Sequence, residues 1–174
     1  MIEKFRPDVY AKNIYTIDYE KLLKRGIKCL LFDLDNTISP VNMPLPDKKA
    51  INHFFDLKEM GFHLIIMSNS PKSRVEPFKN ILETDSVAFA LKPKKISYLK
   101  IMKTFKYKPE QVAAIGDQLL TDMYGANNVG ITTILVNPIS KVDGVTTKLN
   151  RCIEKTVEKK LKRKEMFSRG EYYD

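Results

Sequence analysis

Two aspartates one residue apart, Asp33 and Asp35, follow the apolar run Cys29-Leu30-Leu31-Phe32 and lead into Asn36-Thr37. If that run is a strand, its alternation sends both carboxylates to one side as the chain leaves the sheet. Two such groups repel and nothing nearby in sequence offsets them, so a purely structural role explains them poorly. Phosphoryl transfer needs such a pair. One carboxylate attacks phosphorus, a second carboxyl protonates the leaving oxygen, and a hard cation with oxygen ligands neutralises charge on the group in transit. Magnesium is the natural ion for carboxylates plus phosphate. Further polar residues recur downstream as Ser68-Asn69-Ser70, Lys92-Pro93, Gly116-Asp117 and Thr121-Asp122. A lysine and a hydroxyl can hold the remaining phosphoryl oxygens, a part open to Lys92 and Ser68, with Asn36 and Asn69 as further phosphate contacts. Taken singly, Gly116-Asp117 could be a turn, Asp122 a surface acid, and Ser68 or Ser70 a helix entry. His53 and His63 lie within periodic segments and are read as structural.

The elements that must position these groups can be read from the alternation of apolar runs with helix-period segments. Cys29–Phe32, Phe62–Met67, Val87–Ala90, Val112–Ile115 and Thr132–Val136 read as buried strands. Between the first two, Asp47 can cap a helix whose Ile51, Phe54, Phe55 and Met60 share a face, with Gly61 as its stop. Ser70-Pro71 resembles a cap and a first-turn proline. Pro77 then predicts a turn, with a helix only over Pro77–Leu82. Residues 95–105 place Ile96, Leu99, Ile101 and Met102 at mostly helical spacing, and 119–128 supply another short helix. Strands alternating with helices in this way predict an α/β fold, a three-layer sandwich around a parallel five-stranded sheet with right-handed crossovers. Ligands of such sheets collect at the carboxyl ends of the strands, which is where the polar residues fall.

The order DxDxT, Ser, Lys and GDxxxxD resembles the four motifs of the haloacid dehalogenase (HAD) superfamily, here Asp33 to Thr37, Ser68, Lys92, and Asp117 with Asp122. The resemblance implies a Rossmann-like core in which Asp33 becomes an aspartyl-phosphate and Asp35 serves as general acid and then base. It also implies a magnesium site of Asp33, Asp117 and the main-chain carbonyl of Asp35, with Thr37 and Asp122 in support. An aspartate two residues after the nucleophile favours phosphatase over dehalogenase chemistry. Pro7-Asp8-Val9-Tyr10, Ile14, Ile17, Gly26-Ile27-Lys28, Ser73-Arg74-Val75 and Thr147-Lys148-Leu149-Asn150-Arg151 further resemble the YqeG family of subfamily IIIA, itself similar to phosphatidylglycerophosphate phosphatases. One departure is Gly125-Ala126-Asn127-Asn128, where a second glycine and a basic residue would be expected; a missing basic substrate contact there would count against a lipid substrate.

No room exists for a large cap: Asp35 to Ser68 holds one turn, one helix and one strand, and Ser68 to Lys92 only another helix and strand. The expected site is open and suits a phosphate carried on a large molecule, a protein, a nucleic acid or a lipid. At 174 residues and 43% hydrophobic content, one domain over 1–174 is expected, with 1–27 an N-terminal extension packed on the core and 146–174 a basic helix and tail. Only Cys29 and Cys152 occur, which suits a reducing compartment. The charged N-terminus and the lack of any stretch near ~18 apolar residues predict a cytoplasmic protein. The net charge is +9, and residues 148–164 hold eight Lys or Arg against Glu154 and Glu158. Leu149, Ile153, Val157 and Leu161 repeat every four residues there, a stripe that could pack on the core while the lysines face outward. Those lysines suit an anionic membrane surface or RNA. The alternative to an enzyme is thus an RNA- or ribosome-associated binding module on the same fold, a weaker reading because no RNA-binding aromatic motif is evident.

Overall fold

The computed structural model describes residues 2–140, 142 and 145–174, and for residues 145–149 and Cys152 the backbone alone. In chain order its elements are β1 (Val9–Ala11), α1 (Tyr19–Lys24), β2 (Cys29–Phe32), α2 (Lys48–Glu59), β3 (His63–Met67), α3 (Lys72–Leu82), β4 (Asp85–Val87), α4 (Lys95–Phe105), β5 (Val112–Gly116), α5 (Tyr124–Asn127), β6 (Thr132–Val136) and α6 (Val145–Arg163). The strands form one all-parallel sheet of order β1-β6-β5-β2-β3-β4.

The sheet has six strands where the sequence predicted five. The additional one, β1, pairs Val9–Ala11 with Ile134–Val136 at the edge, so the N-terminal segment joins the sheet itself. The tail covers β1: Tyr10 and Tyr173 exchange backbone hydrogen bonds in an antiparallel bridge.

Strand alternation sorts the core. Leu30, Phe32, Leu64, Ile66, Ala113 and Ile115 face one side with Phe54 and Leu57 of α2 and Val75, Phe78 and Leu82 of α3. Leu31, Ile65, Met67 and Ala114 face the other with Tyr98, Ile101 and Met102 of α4 and Ala126 of α5. Val157 and Leu161 of α6 pack with Tyr10, Leu135 and Phe167 in a third cluster, while Ile153 is exposed and the Leu149 side chain lies outside the described residues.

Asp47 caps α2 by accepting from the Ala50 N–H at 2.7 Å, and Gly61 ends it at φ +96°, a left-handed position that glycine adopts without strain. Phe55 nevertheless points to solvent, as do Ile96 and Leu99 of α4, whose inward positions are taken by Tyr98, Ile101 and Met102. Helix α3 runs unbroken through Pro77, and Pro71 rather than Ser70 is its N-cap. An interior proline costs about 3 kcal/mol, but burial of Val75, Phe78 and Leu82 returns about 1.5–3 kcal/mol each, enough to hold the helix together.

Candidate active site

Successive strands leave β2 toward opposite edges, which opens a crevice at its carboxyl end beside β5. Asp33 and Asp117 follow these neighbouring strands, and the Asp33 N–H continues the ladder to Ile115 O at 2.8 Å. Above them is a cavity of about 570 Å³ lined by Asp33, Asp35, Ser68, Asn69, Lys92 and Asn150, among others.

Lys92 organises the floor. Its Nζ lies 2.6 Å from Asp33 Oδ1 and 2.6 Å from Asp122 Oδ1, with all three side chains nearly sealed from water. Asn69 fixes the Lys92 backbone, accepting from its N–H at 2.7 Å and donating to its carbonyl at 3.0 Å. Asp122 Oδ2 accepts from the Gln118 N–H at 3.1 Å, and Thr37 donates to Asp117 Oδ1 at 3.5 Å. Ser68 is buried at the cavity wall, its hydroxyl accepting from the Ser70 N–H at 3.1 Å.

Asp33, Asp117 and Asp122 present carboxylate oxygens within 4.8 Å of one another. Burial, the largest influence, pushes Asp33 up to about 8, with Asp122 and Asp117 adding to it and Lys92 opposing. Burial likewise pushes Asp117 up to about 7, against the pull of Arg151. Burial would also lower Lys92, but the Asp122 and Asp33 carboxylates outweigh it and the ammonium is raised. This all-oxygen cluster, short of positive charge, fits a hard divalent cation.

The other predicted residues are placed differently. The Asp35 carboxyl lines the same cavity as Asp33 but is held by partners of its own: Ser70 Oγ donates to its Oδ2 at 2.6 Å, and Arg74 Nε and Nη2 reach its Oδ1 at 3.0 and 2.9 Å. The Asn36 side chain, read as a phosphate contact, instead donates to Val142 O at 2.9 Å and accepts from Ser140 at 3.0 Å. These bonds brace the loop after β6 rather than face the cavity. Residues 125–128, where the sequence departs from its family pattern, are not among the cavity-lining residues. Asn127 there ties down the N-terminal segment by donating to Lys4 O and Arg6 O.

Four residues not assigned a site role from sequence support the site. Ser70 and Arg74 hold Asp35. From α6, Arg151 grips Asp117 through Nη2 to Oδ2 and Nη1 to its carbonyl at 3.1 Å. Arg151 also pairs with buried Glu154 at 3.3 Å, whose Oε1 accepts from the Leu120 N–H at 2.9 Å. Arg74 and Arg151 stood within the family-like segments Ser73-Arg74-Val75 and Thr147–Arg151, which was the available signal.

An all-parallel sheet with this carboxylate cluster at its crevice places the chain in the haloacid dehalogenase class of hydrolases, and the HAD-hydrolase-like family model matches residues 90–141. A predicted HAD-like family hydrolase from Porphyromonas gingivalis superposes with a TM-score of 0.55 at 12% identity, over 72% of this chain and 98% of its own. "Probable phosphatase YqeG" of Bacillus subtilis is 38% identical over 94% of this chain and 96% of its own length. The chain belongs to the YqeG family of HAD phosphatases. A more distant relative, "Phosphatidylglycerophosphate phosphatase 1, chloroplastic/mitochondrial" of Arabidopsis thaliana, is 24% identical over 79% of this chain and 42% of its length.

Proposed function

We propose that this phosphatase is magnesium-dependent and hydrolyses a lipid phosphomonoester, phosphatidylglycerophosphate being the favoured substrate, through an aspartyl-phosphate on Asp33. The observation that carries the reaction is the buried Asp33–Lys92–Asp122 arrangement with Asp35 at the same cavity. Lys92 engages Asp33 Oδ1, which leaves Oδ2 to attack phosphorus while the bond to the leaving oxygen breaks. Asp35 gives its proton to that oxygen, then takes one from the water that attacks phosphorus, releasing phosphate and restoring the Asp33 carboxylate. Lys92 and Ser68 line the cavity, which supports a role for both in holding phosphoryl oxygens. Magnesium held by Asp33, Asp117 and the Asp35 carbonyl, with Asp122 behind, would neutralise the charge of the phosphoryl group.

The lipid assignment draws support from the rim. Phe89 and Leu91 line the cavity yet are 60% and 55% exposed, and both adopt left-handed backbone at φ 49° and 56°. Bulky residues held in that strained region, and open to water, suit a place where an apolar chain lies beside the phosphate. Met43 and Leu45 are exposed on the loop that Arg74 ties down through Met43 O and Pro40 O at 3.2 Å. The exposed Lys155, Lys159 and Lys162 of α6 suit contact with an anionic membrane surface. Among the described residues no helix is long and apolar enough to cross a membrane.

The test is phosphate release, with magnesium, from phosphatidylglycerophosphate in mixed micelles against glycerol phosphate and p-nitrophenyl phosphate. The lipid should be favoured about 100-fold or more in kcat/KM. Replacing Phe89 and Leu91 together by serine should erase that preference while leaving p-nitrophenyl phosphate turnover intact. Equal rates on lipid and soluble esters would reject the lipid and leave the phosphatase standing. Salt-sensitive RNA binding indifferent to Asp33→Asn, with negligible turnover, would instead favour the binding-module reading.

A further inference from the structure

We propose that Arg74, assisted by Ser70, is the positioning residue that aims the Asp35 carboxyl at the leaving group; the inference rests on the acid/base role proposed above for Asp35. Asp35 lies past the end of β2, where regular structure is reduced to a single bridge to Ser39 and the next residue, Asn36, is left-handed at φ 66°. A carboxyl on such a segment turns freely about two side-chain bonds. A general acid acts only within hydrogen-bond reach of the oxygen it protonates, so its direction must come from elsewhere.

Arg74 and Ser70 supply that direction. Both Nε and Nη2 of Arg74 converge on Oδ1 at 3.0 and 2.9 Å, while the Ser70 hydroxyl holds Oδ2 at 2.6 Å, so each carboxyl oxygen has a defined partner. The guanidinium is itself fixed. Its Cζ lies 4.6 Å over the ring of Phe78, a fully buried side chain one turn along α3. Its Nη groups also donate to the carbonyls of Met43 and Pro40, so one planar group locks helix, loop and acid together. Arg74 is not among the residues lining the cavity, and it therefore acts through Asp35 rather than on substrate. A lysine could supply charge at this position but not the rigid fork. The adjacent carboxylates thus engage different cations, Asp33 the lysine it shares with Asp122 and Asp35 the guanidinium of Arg74.

The experiment varies the leaving group. Wild type, Arg74→Met, Arg74→Lys, Ser70→Ala and Asp35→Asn are assayed with magnesium on dinitrophenyl, nitrophenyl and phenyl phosphates. Dinitrophenolate leaves without a proton, so Arg74→Met should cost it less than about 3-fold in kcat, rising to about 100-fold for phenolate with KM unchanged. Arg74→Lys should recover little. Added to Asp35→Asn, Arg74→Met should cost nothing further, because the two act as a unit. An equal loss on all three esters, no loss, or a full additional loss in the double variant would overturn the proposal. Should Arg74→Met fail to fold, Ser70→Ala decides: a loss that grows from dinitrophenyl to phenyl supports positioning, and a flat series refutes it. A flat series for Asp35→Asn itself would refute the acid role, and positioning with it. A sloped Asp35→Asn series beside a flat Arg74 series would refute positioning alone.

Discussion

A β-carbon at position 116 would lie 2.3 Å from Cγ and 2.3 Å from Oδ2 of Asp122, so the Asp122 carboxyl sits in the space that a side chain at Gly116 would need. Asp122 in turn holds Lys92, which holds Asp33. Gly116→Ala should therefore displace Asp122, lower kcat by about 100-fold and destabilise the chain by about 1–3 kcal/mol, measured by turnover and urea unfolding.

Asp33→Asn separates chemistry from folding. Turnover should fall by at least about 1,000-fold, since an amide in place of the proposed nucleophile cannot attack phosphorus as a carboxylate does. Metal-free stability at neutral pH should rise by about 1 kcal/mol, because an amide is neutral without taking up the proton that buried Asp33 needs, while Lys92 keeps Asp122. Thermal unfolding in chelator checks the second effect.

Stability should depend on pH in a direction set by the same cluster. Folded Asp33 holds its proton up to about 8 and Asp117 up to about 7, against 3.8 for an ordinary aspartate. Within that window the folded, metal-free chain binds protons that the unfolded chain has released, so its stability falls as pH rises. A divalent cation displaces those protons, and its stabilisation grows over the same range. The magnesium-induced rise in Tm should be larger at about pH 8 than at about pH 5, and Asp33→Asn should flatten the difference.

Arg151→Ala should reach the site from α6. It strips the partner from buried Glu154 and from Asp117, at a cost of about 3 kcal/mol by denaturant unfolding. Glu154→Gln should cost less, since an amide oxygen can still accept from the Leu120 N–H.

The strands that carry the site were legible because parallel strands buried on both faces read as continuous apolar runs, as in Cys29–Phe32 and Val112–Gly116. Strand β1 escaped because Val9-Tyr10-Ala11 is too short to show a pattern, and its role depends on pairing with β6. Pro77 misled because local backbone preference was outweighed by the core contacts of Val75, Phe78 and Leu82. Asp33 and Asp117 were legible from residue type and place at strand ends, Lys92 and Asp122 only through the order of motifs they share with the family, and the structure brings all four together. The Arg74–Asp35 and Arg151–Asp117 pairs were not, since each is made across 39 and 34 residues by side chains on helices whose orientation only packing decides. Asn36 shows the converse: adjacent to both aspartates, its side chain serves the loop after β6.

The pairing of β1 with β6 sets an order of events during synthesis. Asp8 and Thr133 lie 125 residues apart yet share hydrogen bonds at that edge. At about 5–20 residues per second, β1 waits roughly 6–25 s for its neighbour β6 to be made. The tail that covers Tyr10 comes later still. During that interval Val9-Tyr10-Ala11 is an unclaimed β-segment on a nascent chain, with no sheet edge to join until β6 has been made.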